Sequence, residues 1–334
     1  MTNIVNNNYK DLLQNSECGS PLSATLIFSV IKELIEPGTS NNIFNVNNTF
    51  DANYLISLKN YFDSTHFGEN EFKTENFVIV DNNYKITGDS ENKIATLAKF
   101  KYDVFTDTSH QELNEFISEF TKNTINDFFK SSLINCRILM FNVSYFNAAW
   151  KNKFTKTQKE NFTTSNNNII EVDMMHCVED SWYYENDQIQ LYYKKYEDGT
   201  PNSIVFILPK EGPQSYDIDN LEHHVKETIM CRVDVKIPKF KQICEIEKDA
   251  ILSLRVVKKD SEEEYSDHPI TFHQKCVIEI DETKTCAAVA TGLIAKCYTP
   301  PTKMNVVFHA NKPFYYFIRN NYHKLVLFSG KYGF

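Results

Sequence analysis

Glycine and proline are scarce in this chain of 334 residues, at 9 and 10 copies. That argues against a loop-rich scaffold and suits long regular elements. The eight cysteines, at positions 18, 136, 177, 231, 244, 276, 286 and 297, form no C-x-x-C pair and show no Cys/His spacing of the zinc-binding kind. They read as free thiols in a reducing compartment, and neither a metal nor any other cofactor is expected. No stretch approaches a membrane span, and the Asn-rich opening from Met1 to Gln14 lacks the apolar core of a secretory signal. The expectation is a cytoplasmic chain with no membrane partner.

Catalytic motifs are missing as well: there is no phosphate-binding glycine loop, no nucleophile elbow and no HExxH. His176 and Cys177 adjoin, but a catalytic Cys/His pair has to meet in space, so adjacency along the chain carries no signal. Asp217 and Asp219, and Glu262 to Glu264, are carboxylate neighbours without a partnering motif. The chain does not read as an enzyme. Positive charge is also in deficit, with 35 Lys and Arg against 44 Asp and Glu and a net charge of −9. Such a field repels polyanions, so nucleic acid is not expected as a partner. The acidic run from Asp260 to Glu264 reads as a solvated loop.

What the chain holds in quantity is aromatic side chains, 25 Phe and 18 Tyr among 42% hydrophobic residues. With no repeat and no dividing linker, one domain over 1–334 and a monomer are expected. Ser20-Pro21-Leu22-Ser23 reads as a helix start, with Pro at an early helical position, Ser23 available to cap and the helix continuing through Ile35. Gln111 to Phe129 carries apolar residues at helical spacing. Arg137 to Trp150 is rich in β-branched and aromatic residues and predicts a central strand buried on both faces. Phe77–Val80, Ile204–Leu208, Val233–Ile237, Cys276–Ile280, Val306–Phe308 and Leu325–Phe328 read as further strands. Strands outnumber helices in the second half, an α+β profile.

Several of these segments match, in order, the motifs of one family. Ser20-Pro21-Leu22-Ser23 is similar to an SPxS segment, and Asn142, Tyr145-Phe146, Trp150 and Phe154 follow an N-x-x-Y/F-F-x-x-x-W-x-x-x-F pattern. Phe206-Ile207-Leu208-Pro209 and Ile237-Pro238-Lys239-Phe240 resemble its xxLP and (L/I)PKF strands. Ile280-Asp281-Glu282 leading into Thr285 to Thr291 resembles a loop hinge, and Lys312 to Ile318 with Leu327 to Lys331 resembles the signature after that loop. The chain thus resembles the serpins, and most nearly the intracellular serpins of poxviruses. Gln274 stands where the family's polar cluster under the main sheet has a His, beside Ser20, Ser23 and Asn142. The segment between Phe240 and Lys275 is short, with no clear counterpart to the helix, strand and Gly-containing loop usual there.

The resemblance implies a large mixed β-sheet with further sheets and surrounding helices, and an exposed reactive-centre loop near the C-terminus at about 285–303. It implies a suicide substrate for a serine or cysteine protease, which cleaves the loop and is trapped as the freed segment enters the main sheet as a new strand. The inward set, Thr285, Ala287, Val289, Thr291, Leu293 and Ala295, is uncharged as insertion requires, and Ala288 and Ala290 alternate outward. Counting from Thr285 puts the reactive bond at Tyr298 and Thr299; a register one shorter gives Cys297, and Lys296 would suit a trypsin-like pocket. The expected partner is a host protease of chymotrypsin-like or trypsin-like specificity, not one demanding an acidic residue, and the expected role is viral modulation of host defence. Lys284, where inhibitory members usually keep Gly, and Cys286 leave open a second reading, a non-inhibitory serpin-fold protein that binds a host protein.

Overall fold

The structure, a computed structural model, describes Val5, Lys10 and residues 16–37, 49–64, 71–212, 215–285 and 305–334. The chain forms two compact units. The first comprises Met1–His66, Phe72–Tyr145 and Ile243–Val277; the second comprises Phe67–Glu71, Phe146–Gln242 and Ile278–Phe334.

In the first unit, β1 (Cys18–Gly19) leads into helix α1 (Pro21–Lys32). Ser20, not Ser23, is the N-cap: its side chain accepts from Ser23 N at 3.2 Å while Pro21 occupies a position where a missing N–H is harmless. Pro21 to Ile31 are all buried. The hydroxyls of Thr25 and Ser29 are satisfied on the carbonyls of Pro21 and Thr25, at 2.8 and 2.7 Å. Helices α2 (Ala52–Ser64) and α3 (Ser90–Leu97) follow, with β2 (Glu71–Asp81) paired in parallel to β4 (Lys99–Asp103). Between them β3 (Tyr84–Ile86) pairs with β12 (Val256–Lys258).

Helix α4 spans Ser109–Phe120, nine residues short of the expected end at Phe129. Lys122 and Asn123 take left-handed backbone at φ 50° and 62°, and Thr121 Oγ1 accepts from Ile125 N at 3.1 Å, so the chain turns out of the helix there. Ile125, Phe128 and Phe129 are still buried with Ile79, Ile117 and Phe141, from an irregular segment. The apolar spacing recorded burial and not helix.

Strand β5 (Ile138–Ala149) contributes its residues up to Tyr145 here, beside β2. Most of β11 (Phe240–Leu254) and β13 (Ser266–Ile280), neighbours in the sheet, also belong to this unit; no helix interrupts the segment after Phe240, but strands β11 and β12 fill it where the sequence offered no clear strand. Alternate residues of β13 from His268 to Ile280 are buried, the period-2 pattern of a strand with one covered face. The His268 ring lies 2.5 Å through Nε2 from the Val256 carbonyl, which can only accept, so Nε2 carries the proton. Burial holds its pKa below the usual 6.5, against the opposing pull of that hydrogen bond.

The second unit is built on a sheet ordered β17 (Leu325–Tyr332), β16 (Phe314–Asn320), β9 (Asn202–Pro209), β8 (Ile189–Lys195), β7 (Ile169–Glu185), β10 (Ile229–Pro238), β15 (Asn305–His309). Strand β6 (Lys156–Thr163) pairs with the first half of β7. Every residue of β9 and β16 is buried, which explains their unbroken apolar runs. Gly330 on β17 lies opposite Tyr316 on β16, and a Cβ there would meet the Tyr316 hydroxyl at 2.2 Å. That hydroxyl donates to Gln242 Oε1 at 2.7 Å, so the glycine of the signature is a packing requirement.

A buried ion pair sits in this unit, Lys194 with Glu179 at 3.3 Å. The Tyr192 hydroxyl also donates to Glu179, and Lys194 Nζ lies 4.4 Å from the centre of the Phe154 ring. Cys18, Cys136, Cys177, Cys231, Cys244 and Cys276 are free thiols, all buried except the half-buried Cys136. Burial pushes the pKa of Cys136 and Cys177 up to about 11. Among the described residues no helix is long and apolar enough to cross a membrane.

Candidate functional site

Two polar groups stand out, one in each unit. In the first, the buried N-terminus of α1 is tied to β13 by a reciprocal pair: Ser20 N donates to Gln274 Oε1 and Gln274 Nε2 to Ser20 O, both at 3.0 Å. Ser23 Oγ donates to Asn142 Oδ1 at 2.6 Å. Asn142 Nδ2 donates to Asn76 Oδ1 at 2.9 Å and to Thr74 Oγ1 at 3.1 Å, and Ser144 Oγ to Asn142 Oδ1 at 2.8 Å. The structure therefore brings Ser20, Ser23, Asn142 and Gln274 into one bonded group. An amide at 274 both donates and accepts, the two roles this position requires. Thr74, Asn76 and Ser144 escaped the sequence reading. Their signal is spacing: polar pairs at i and i+2 on β2 and β5 fall on one face of each strand.

In the second unit, Asp281 to Thr285 make a tight turn. Asp281 Oδ1 accepts from Thr283 N at 2.7 Å and Lys284 N at 2.9 Å, and Asp281 N donates to Lys284 O at 3.0 Å. Strand β14 (Lys284–Thr285) leaves this turn and pairs on both sides, Thr285 with Ile280 of β13 and, through the opposite edge, Lys284 and Thr285 with Ala149 and Ala148 of β5. Thr285, read as the first loop residue, is thus a strand residue, 3% exposed, whose Oγ1 lies 3.1 Å from the Tyr196 hydroxyl. Lys284 is buried too.

The turn is anchored on Trp150 and Phe154. Trp150 N donates to Thr283 O at 3.0 Å, its Nε1 to Asp281 O at 2.9 Å, and Phe154 N to Glu282 O at 3.0 Å. Trp150 stacks on Tyr196 at 4.9 Å between ring centres. Glu282 pairs with Lys239 at 2.9 Å and accepts from Thr157 Oγ1 at 2.8 Å. Burial alone would raise the Glu282 pKa, but the bonds from Lys239, its own backbone and Thr157 outweigh it and hold the carboxyl below the usual range. Lys239 and Glu282 both lie in quoted motifs; their pairing across the chain was not legible from either alone. Ala287, Ala288, Val289, Ala290, Thr291, Lys296, Cys297, Tyr298 and Thr299 lie outside the described residues.

Chemically, no nucleophile, base and oxyanion donors converge at either group. Among the described residues no group of His, Cys, Asp or Glu could hold a metal ion. What the second group holds is a strand start, two residues long and bonded on both edges, just before a long segment. That defines a class: an α+β protein with a two-residue strand held on both edges in its sheet.

The chain matches the family described as Serpin (serine protease inhibitor) over residues 5–333. It belongs to the serpin family. It is 28% identical to an uncharacterized serpin-like protein of Acanthamoeba polyphaga mimivirus, over 99% of this chain and 88% of that one. It is also 28% identical to a probable serine proteinase inhibitor of swinepox virus, over 66% of this chain and 70% of that one. Its fold is that of the thermophilic serpin tengpin in the native state, with a TM-score of 0.80, 20% identity and coverage of 100% of this chain and 92% of that one.

Proposed function

We propose that this chain, as a single domain and a monomer, is a suicide-substrate inhibitor of a host serine or cysteine protease, acting in the cytoplasm of an infected cell and not an enzyme itself. The observation that carries this reading is the two-sided pairing of β14: the strand leading into the loop is already bonded to both β13 and β5. Extending that strand residue by residue is the motion the mechanism needs. Each added residue gains ladder hydrogen bonds, and the inward positions after Thr285 are uncharged.

The protease's nucleophile attacks the Tyr298 carbonyl, the bond to Thr299 breaks, and the Thr299 amine leaves with the proton passed on by the protease's own general base. The acyl bond to Tyr298 persists while the freed segment enters the sheet. Cys297 and Lys296 are the alternative acyl residues. The swinepox virus relative, a probable serine proteinase inhibitor, supports a protease as the target. The burial of Lys284 favours the second reading, a non-inhibitory binder of a host protein, because a long cation at the hinge retards entry and lets the protease escape.

Incubation with chymotrypsin-like and trypsin-like proteases separates the two. A complex that survives denaturing electrophoresis, with the new N-terminus mapped to Thr299, is the expected result. Clean cleavage without a complex leaves the non-inhibitory reading.

A further inference from the structure

A cation buried among aromatic rings does more than answer its counter-ion, because it also fixes the faces that surround it. Lys194 Nζ directs its three donors to Glu179 Oε2 at 3.3 Å, the Tyr192 hydroxyl at 3.4 Å and Cys177 Sγ at 3.9 Å. The same nitrogen lies 4.4 Å from the centre of the Phe154 ring and 5.6 Å from that of Trp150. Both distances fall within the ~6 Å reach of a cation on an aromatic face, and the burial of all three side chains removes the water that would weaken it.

Trp150 and Phe154 are also the residues that grip the turn at 281–285. Each donates its backbone N–H to that turn, and Trp150 adds its indole N–H. The two rings meet edge-on at 6.3 Å, and Trp150 stacks on Tyr196, whose hydroxyl lies 3.1 Å from Thr285 Oγ1. Contacts therefore run without a break from Glu179 on β7 and Lys194 on β8, through the two rings, to the start of β14, all inside the second unit. Take away the charge and the rings keep their bulk but lose what orients them.

We propose that Lys194 is a positioning residue for the hinge of the reactive loop: its ammonium, fixed by Glu179, holds the Phe154 and Trp150 rings so that their N–H groups keep the 281–285 turn, and β14 with it, in place. Its effect on inhibition rests on the trapping mechanism proposed above; its effect on the turn does not. Lys194→Met alone strands Glu179 and can unfold the chain, so the test uses Glu179→Met, Tyr192→Phe and Lys194→Met together, which fill the space without charge. Amide hydrogen exchange of the whole native protein reads the turn directly. The amides of Trp150, Phe154 and Lys284 are expected to exchange about tenfold faster than in the parent, while those of β9 and β16, buried strands of the same unit, change far less. With a protease that the parent traps, the variant should be nicked about tenfold more often for each complex formed. Turn amides as protected as the parental ones, or an equal rise throughout the unit, overturns the proposal, since the cluster is then structural support and nothing more. Trapping at the parental ratio despite a loosened turn overturns it too. A parent that traps no protease refutes the trapping reading instead, and the exchange result then decides the role of Lys194 by itself.

Discussion

A lysine and a glutamate whose side chains are 1% and 7% exposed have to be answered by each other, and Lys194 and Glu179 are. Removing one partner strands the other charge in the core. Glu179→Ala is expected to cost about 3 kcal/mol or more, read as a lower urea midpoint, whereas replacing the whole cluster by Glu179→Met, Lys194→Met and Tyr192→Phe should return the midpoint to near that of the parent. If the triple variant is as unstable as the single one, the pair contributes through shape and not charge. His268 gives the protein an acid limit. Its pKa is lowered in the folded state, so the unfolded chain takes up the proton first as pH falls below about 6.5. The stability tied to the neutral ring is complete above that value and drains away toward the lowered folded pKa. His268→Gln, which keeps a donor for the Val256 carbonyl but does not titrate, should flatten the fall in stability between about pH 7.5 and pH 5; an unaltered slope assigns the acid sensitivity to other groups.

At the scale of elements, β14 is two residues long and in the proposed mechanism bears the largest functional weight. Thr285→Arg forces a guanidinium into the space beside Tyr196, where a charge costs several kcal/mol. The expected outcome is cleavage at the parental rate without a stable complex, seen as a shift from complex to nicked product on denaturing gels; Ala287→Glu and Val289→Arg should behave alike. A Thr285→Arg protein that still traps its protease means that β14 does not seed insertion. The strands themselves were legible: β5, β9, β10, β15 and β17 stand within a few residues of their apolar runs, most plainly β9 and β17, where burial on both faces leaves a continuous signal. The end of α4 was not, since Ile125 and Phe128 keep helical spacing while serving a core that only the folded chain assembles. Likewise Ser20, Ser23, Asn142 and Gln274 could be picked out through the resemblance to the family's polar cluster, but Thr74 and Asn76 needed the register of β2 against β5 to join them.

For the molecule as a whole, the proposed mechanism makes the intact form a stressed one. Nicking between Lys296 and Thr299 should raise the melting temperature by ~10 °C or more, since a further strand adds a ladder and buries several apolar side chains. A nicked chain that melts with the intact one has not inserted, and the reading of a non-inhibitory binder then stands. The buried thiols turn this stress into something that can be timed. Cys276 lies on the covered face of β13, the strand that flanks β14, and is 3% exposed. A reagent that modifies thiols reaches it only while β13 swings clear, so its alkylation rate is an hourglass for the breathing of the sheet. Cys177, held on β7, runs a second hourglass for its own sheet. In the nicked protein the first should slow far more than the second, and these two native cysteines become clock hands that need no label.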